Sequence, residues 1–310
     1  MSSTAPVMPN EASSHLEGRG RLQADGALAL ITAFWGITFV VVKGALGHGD
    51  PFSFLALRFG IGALALTAIA RRDMLAPQTL RRGLMLGVFL FLGFALQTVG
   101  LVSTTPSRSA FITGLYVVFV PVLGLALFRK VPRISSWVGV VLAALGLRYL
   151  TGAEVDAGQG LSQGDWLTLG CAVAYAFHIL LTERYAPKSG VVPLVAVQLW
   201  VVSVLSVLCL PFAGARVEWV PSFLGAAAFC GLLASAVAIC VQTWAQARTT
   251  AVRVALICST EPVFAAVYSV ALGYETLGPR EWVGGGLIIA GVLVAELGAH
   301  LWGRLSARSA

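Results

Sequence analysis

The sequence is short of charge. Only 11% of its 310 residues are Asp, Glu, Lys or Arg, while 57% are hydrophobic. An ordinary soluble domain carries roughly 25% charged residues, so too few polar groups are present to clothe a soluble surface. The same figures argue against a disordered chain. Cysteine is scarce and unpatterned. Cys171, Cys209, Cys230, Cys240 and Cys258 each lie in an apolar run, with no C-x-x-C or Cys/His spacing, which argues against a disulfide framework and a zinc site. Four histidines, at 15, 48, 178 and 300, make no cluster, so no metal, no cofactor and no enzymatic centre is expected. The net charge of +7 gathers on no single face or tail, so it is not a nucleic-acid footprint.

What is present is a succession of apolar runs, the composition of a polytopic membrane protein. A bilayer-crossing helix needs about 20 mostly apolar residues. Ten segments qualify, at 27–46, 52–70, 83–102, 108–128, 134–150, 166–183, 191–212, 222–243, 251–272 and 282–301. The fifth is short and ends in Arg148. None alternates apolar and polar residues as a barrel strand does, so all are predicted helical. The first run lacks a cleavage-like A-x-A boundary and is read as a span, not a signal peptide. Residues 1–26, rich in Ser, Ala, Pro, Glu and Arg, are expected to form a disordered cytoplasmic tail, and 303–310 a second tail.

Orientation follows from the cations. With the amino terminus inside, the cytoplasmic side receives Arg19, Arg21, Arg71, Arg72, Arg81, Arg82, Arg129, Lys130, Arg133, Arg184, Lys188, Arg248, Arg304 and Arg308, which is 14 of the 21 Lys and Arg. The external loops receive only Arg216 and Arg280, while Asp50, Glu154, Asp156, Asp165, Glu218, Glu275 and Glu281 fall outside. Both termini are therefore expected in the cytoplasm, and short loops suit a bacterial plasma membrane. The lipid bilayer is the expected partner; oligomeric state is not legible.

The chain also repeats itself. Thr104, Thr105, Arg108, Ala110, Trp137, Val138, Gly139 and Gly146 recur 145 positions later as Thr249, Thr250, Arg253, Ala255, Trp282, Val283, Gly284 and Gly291. Trp35-Gly36 and Tyr175-Ala176 are a looser echo at 140, and Pro121 and Pro262 differ by 141. The repeats divide the chain into 27–150 and 166–302, joined by an external linker at 151–165. Five spans per repeat force the second to enter the membrane from the opposite side. The predicted fold is thus an all-α integral membrane protein of ten transmembrane helices in two inverted five-helix repeats. Such pairs handle substrate near the midplane between them.

Further residues bear a resemblance to a known family. Trp35-Gly36 is followed by Phe39 and Lys43, then by Leu57-Arg58-Phe59; SRSAFITGLYVVFVP runs from Ser107 to Pro121. Gln242, Gln246, Thr249 and Thr250 lead to Glu261-Pro262-Val263-Phe264, Glu275 and Trp282-Val283-Gly284. From about residue 27 to 302 the chain resembles the ten-span, EamA-type branch of the drug/metabolite transporter superfamily. The resemblance implies a secondary transporter, not an enzyme, carrying a small organic solute, often outward. A metabolite, an amino-acid-like compound or a drug would fit. Nucleotide-sugar or sugar-phosphate carriage is the alternative within the superfamily, with an integral-membrane enzyme behind it. Arg129-Lys130 departs from the family, which often has an acid there, and His178 is not a residue associated with it.

Ionisable groups within spans are costly and usually face a bundle interior or an aqueous cavity. Glu261, followed by Pro262, is expected to bind a cationic group or carry a proton; the other reading is a buried partner for Arg58. Proline leaves the Cys258 carbonyl free, so the helix is predicted to bend there. Arg58 is expected to bind a carboxylate, to pair structurally or to snorkel. Lys43 is expected to snorkel outward. His178 suits proton coupling or a satisfied core position. Trp35, Tyr116 and Tyr175 with the amides Gln97, Gln198 and Gln242 are expected to wall a cavity for a mixed polar and apolar solute; packing against lipid or helices is the other reading of each aromatic.

Overall fold

The computed structural model describes residues 11–156, 162–273, 276 and 278–308. In chain order the helices are α1 (Glu11–Ala45), α2 (Pro51–Ala70), α3 (Pro77–Val102), α4 (Pro106–Thr113), α5 (Tyr116–Phe128), α6 (Ile134–Asp156), α7 (Gln163–Tyr185) and α8 (Val191–Ala213). They continue as α9 (Pro221–Phe229), a π-helical segment (Cys230–Val237), α10 (Ala238–Gln246), α11 (Ala251–Cys258), α12 (Glu261–Ala271) and α13 (Pro279–Arg308). Among the described residues there is no strand, only an isolated bridge between Gly49 and Val217. Among the described residues eight helical stretches are long and apolar enough to cross a membrane: 22–45, 51–75, 77–102, 106–128, 163–188, 191–213, 221–246 and 251–271. The fifth and tenth sequence segments correspond to shorter apolar stretches, Ile134–Gly146 and Trp282–Ala295. The molecule is an all-helical integral membrane protein.

One expectation shifts at the amino-terminal end. Residues 11–26, read as a disordered tail, are helical. Glu11, Ala12, Leu16, Leu22 and Ala24 favour the helix, and extending an existing helix needs no new nucleus. Ala24 and Leu28 are fully buried, so the helix joins the core before the first predicted span begins. At the other end α13 runs on to Arg308, through most of the predicted second tail. The predicted external linker 151–165 is helical up to Asp156 and again from Gln163; 157–161 and Glu275 lie outside the described residues.

Local chemistry sets where the helices start and stop. Proline occupies the first turn of α2, α3, α4, α9 and α12, where its missing N–H leaves nothing unsatisfied. Thr105 caps α4 by accepting from the Arg108 N–H, and Thr250 caps α11 by accepting from the Arg253 N–H. Two spans are interrupted. The α4–α5 span breaks at Gly114-Leu115 and the α11–α12 span at Ser259-Thr260, positions 145 apart. At the second break the Ser259 and Thr260 hydroxyls donate to the Leu256 and Ile257 carbonyls at 2.6 and 2.8 Å. The bend expected from Pro262 is therefore present, one turn earlier than the proline and closed by hydroxyl groups.

Packing joins the first half of the chain to the second. α6 lies along α13, α2 along α8, α3 against α7 and α8, and α1 against α12 and α10. Two glycine pairs allow the α6–α13 approach. A Cβ on Gly139 would sit 2.6 Å from the Gly291 carbonyl oxygen, and one on Gly146 the same distance from the Gly284 oxygen. Two ion pairs reinforce the joints: Arg108 with Asp165 at 2.7 Å and Arg253 with Asp25 at 2.5 Å. Lys43 does not snorkel into the lipid. Its ammonium donates to the carbonyls of Leu101, Val102 and Thr104 at 2.6, 3.1 and 2.9 Å, satisfying oxygens that the end of α3 leaves open.

The loops 46–50 and 214–220 close one end. Asp50 N–H donates to the Arg216 carbonyl and Glu218 N–H to that of His48. The Asp50 carboxylate accepts from the N–H groups of Phe52, Ser53 and Arg216, while Glu218 meets His48 and Arg216. Burial pushes the Asp50 pKa up, but the hydrogen bonds from Ser53, Arg216 and Phe52 outweigh it and hold it below the ordinary value. The hydrogen bond to His48 holds Glu218 low as well. Because both are depressed, their contribution is complete above the ordinary carboxylate pKa of about 4 and lost as pH falls through the lower native values. The melting temperature in detergent is expected to be level near neutrality and to drop below about pH 4. Asp50→Ala, which removes the cap of α2, is expected to cost about 1 kcal/mol by the same melt at pH 7.

Candidate binding cavity between the halves

The interrupted spans meet around a cavity. Its wall takes Trp35 and Thr38 from α1, Arg58 from α2, and Leu90, Phe94 and Gln97 from α3. Tyr116 comes from α5, Tyr175, His178 and Ile179 from α7, Ile239 and Gln242 from α10, Cys258 from α11 and Glu261 from α12. Both breaks deliver a residue directly: Tyr116 opens α5 and Glu261 opens α12, again 145 apart. Eight of the nine residues singled out in the sequence line this one cavity. The ninth, Gln198, stands behind it.

The π-helical segment anchors two of them. Trp35 Nε1–H donates to the Ala234 carbonyl at 2.8 Å, and Arg58 Nε–H donates to Ser235 Oγ at 2.9 Å. A π turn widens the helix and releases backbone groups, which is how a carbonyl comes to accept from a side chain in mid-membrane. The Arg58 guanidinium carbon lies 4.7 Å from the Phe94 ring centre and 5.1 Å from that of Phe59, so aromatic faces hold the cation. Arg58 Nη2 is buried and has no hydrogen-bond partner. The residue is 2% exposed, so it does not snorkel. Nor is it paired with Glu261, which makes no hydrogen bond or ion pair among the described residues.

The remaining polar groups divide into fixed and free. Gln198 Nε2–H donates to the Leu194 carbonyl at 3.2 Å, which turns its Oε1 toward His178 Nε2 at 2.8 Å. That arrangement makes His178 Nε2 the donor. Gln97 Nε2–H donates to Thr113 Oγ1 at 3.1 Å, at the first break. The Tyr116 hydroxyl is buried without a partner. Tyr175 packs edge-on to Phe94 with ring centres 5.5 Å apart. Any Cβ at Gly93 would strike its ring, so glycine is required there. Among the described residues no group of His, Cys, Asp and Glu could hold a metal ion.

A wider vestibule lies along the continuation of the same helices. Pro121 and Gly124 of α5, Glu183 of α7, Gln246 of α10, and Lys130, Arg133 and Arg248 of the loops line it. Sequence reading did not find Phe94, Thr38 or the π-helical anchor. Ser235, a hydroxyl in the apolar run GLLASAV, was the one available sign of the last.

Known proteins bear on this arrangement in three ways. The sequence model of the EamA-like transporter family matches twice in succession, over residues 24–152 and 162–297. An Archaeoglobus fulgidus protein named as a transporter is 34% identical over 281 residues, covering 91% of this chain and 88% of that one. The Escherichia coli inner membrane transporter YedA is 26% identical over 289 residues, with 89% and 92% covered. A Salmonella typhimurium protein named as a probable amino-acid metabolite efflux pump is 30% identical over 181 residues, 55% of this chain and 58% of that one. A solved crystal structure with 19% identity superposes with a TM-score of 0.75, covering 90% of this chain and 99% of the other, a likeness of fold. The double match along almost the whole chain decides the matter: this protein belongs to the EamA-like transporter family.

Proposed function

We propose that this transporter exports a small amphoteric or amphipathic solute, such as a metabolite, an amino-acid-like compound or a drug. It works by alternating access, as ten spans in two inverted five-helix repeats, from a plasma membrane with both termini in the cytoplasm. The observation that carries the reading is the pair of interrupted spans converging on one cavity that holds a free cationic donor, a free acid and aromatic walls. Discontinuous helices at a repeat interface are where such carriers bind solute.

Inverted repeats draw support from reciprocity. Gly139 against Gly291 becomes Gly284 against Gly146 when each residue is exchanged for its counterpart at 145. Arg108–Asp165 becomes Arg253–Asp25, with the acids at the looser offset of 140. Two successive family matches of similar length agree with this division. Outward transport of an amino-acid-like solute draws support from the name of the Salmonella relative. A sugar phosphate fits less well, because among the described residues Arg58 is the one Lys or Arg on the cavity wall. Proton coupling rests on Glu261, the wall carboxyl with no partner.

Metabolite profiles of cells with and without the protein are expected to differ in a solute bearing a carboxylate and an apolar body, enriched in the medium of expressing cells. Inside-out vesicles should then accumulate that solute. Accumulation by right-side-out vesicles alone would reverse the direction, and a carboxyl-terminal tag accessible from outside the cell would end the ten-span reading.

A further inference from the structure

Below the cavity, toward the vestibule, three polar atoms are buried without a hydrogen-bond partner: Thr182 Oγ1 on α7, and Thr243 Oγ1 and Gln246 Oε1 on α10. All three residues are at most 1% exposed. Helical spacing puts them on one seam. Thr182 lies one turn beyond His178 and Ile179 on α7, and Ile239, Gln242, Thr243 and Gln246 follow one face of α10. The two faces meet, because Gln246 Nε2–H donates to the Ile179 carbonyl at 2.9 Å. The upper end of the seam opens on the cavity at His178 and Gln242, and the lower end opens on the vestibule at Gln246.

A buried hydroxyl ordinarily bonds the carbonyl one turn back or a neighbour. Thr32, Thr67, Thr168 and Ser206 of this protein do so. Thr182 and Thr243 do not. Water bridging buried polar atoms is the usual resolution where several such atoms lie together. We propose that the α7–α10 seam holds a file of water that conducts protons between the cavity and the vestibule, apart from the route taken by solute.

The transfer is a relay of O–H bonds. A proton leaving the Glu261 carboxyl binds a lone pair of a cavity water, which gives one of its own protons to the next oxygen. The Thr243 and Thr182 hydroxyls each accept a proton and release their own, Gln246 Oε1 orders the last water by accepting its hydrogen bond, and vestibule water takes the proton as hydronium. Glu261 is left as a carboxylate, and the reverse sequence reloads it. The ionisable groups around the upper end are Glu261 of α12, Arg58 of α2, Tyr116 of α5, and Tyr175 and His178 of α7. Glu183 of α7, Arg253 of α11, and Lys130, Arg133 and Arg248 of the loops stand at the lower end.

The test uses the full-length protein and the proton itself as probe, with no solute. The infrared stretch of the protonated Glu261 carboxyl is assigned by its loss in Glu261→Gln, and its change is timed after a pH jump. Thr182→Val combined with Thr243→Val keeps side-chain size and removes both hydroxyls; it is expected to slow the exchange about a hundredfold, the lower end of what positioned proton-transfer groups contribute. The matching double serine variant, which restores the hydroxyls, is expected to exchange at the wild-type rate. An unchanged rate in the valine variant, equal slowing in the serine variant, or a carboxyl band that never responds to pH would each overturn the proposal. Failure of the transport reading would show separately, as no solute movement in vesicles while the proton exchange stands.

Discussion

Arg58→Met is expected to leave the fold intact and to remove solute binding. The residue contributes one hydrogen bond to Ser235 and contacts with Phe59 and Phe94, while its Nη2 is buried and unpartnered. A buried charge without a full set of partners carries a desolvation cost, and replacing such a charge by an apolar side chain of similar length is often neutral or stabilising. Methionine also packs well against aromatic rings. The melting temperature is therefore expected to hold or rise. Solute binding loses a charge-assisted hydrogen bond worth about 1.5–3 kcal/mol, which is about 10- to 150-fold in affinity, read by counterflow exchange in proteoliposomes. Arg58→Lys is expected to fail too, since one ammonium lacks the planar fork that serves Ser235 and the cavity together. A fall in melting temperature accompanying the loss of exchange would make Arg58 a structural residue instead.

What could be read from the sequence follows a physical division. Apolar runs near twenty residues are a local signal, so the helices fall close to the predicted segments. Polar side chains in those runs must be housed away from lipid, and Trp35, Arg58, Gln97, Tyr116, Tyr175, His178, Gln242 and Glu261 indeed share one cavity. Distances along the chain hide the rest. Asp25 stood in what read as a solvated tail, and nothing local marks it as the partner of Arg253, 228 residues away. Lys43 looked like an interfacial cation because the carbonyls it satisfies belong to a different helix. The π-helical segment depends on Trp35 and Arg58 drawing on Ala234 and Ser235 from α1 and α2. Gly139 and Gly146 stood out as the repeat counterparts of Gly284 and Gly291, but that Gly139 meets Gly291 and Gly146 meets Gly284 emerges only from the packing.

The 145-residue echo acquires a physical meaning at this point. Repeated Thr-Thr-x-x-Arg segments cap α4 and α11, and the carboxylates that hold those arginines come from α7 and α1, the helices that begin the opposite half. Each broken span is therefore tied to the other repeat at its capped end and contributes a cavity residue, Tyr116 or Glu261, at its break. The joint between halves and the binding position are built from the same two spans. The proposed alternating access would draw on this shared construction.

Glu261→Gln is expected to separate exchange from pumping. Glu261 and His178 are the carboxyl and the imidazole on the wall among the described residues, and their surroundings differ. His178 is held by Gln198, itself fixed to the Leu194 carbonyl, so protonation must be accommodated on a ring already committed to one donor bond. Glu261 has no such commitment among the described residues, and it opens a short helix immediately after a break that can alter its packing. Glutamine has the same shape and is permanently neutral, the state of the protonated acid. The variant is expected to fold as well as the wild type, because a neutral amide is cheaper to bury than a carboxylate. Solute-for-solute exchange, which needs no net proton movement, is expected to persist. Accumulation driven by a proton gradient is expected to fall about a hundredfold or more, and the dependence of flux on pH should flatten. On the proposed coupling, each outward step requires the acid to release its proton on one side and regain it on the other, so dissipating the gradient is expected to reduce wild-type flux to the level of the variant. A Glu261→Gln protein that still concentrates solute against its gradient, with the wild-type pH profile, would place the coupling group elsewhere and make His178→Gln the next variant to measure.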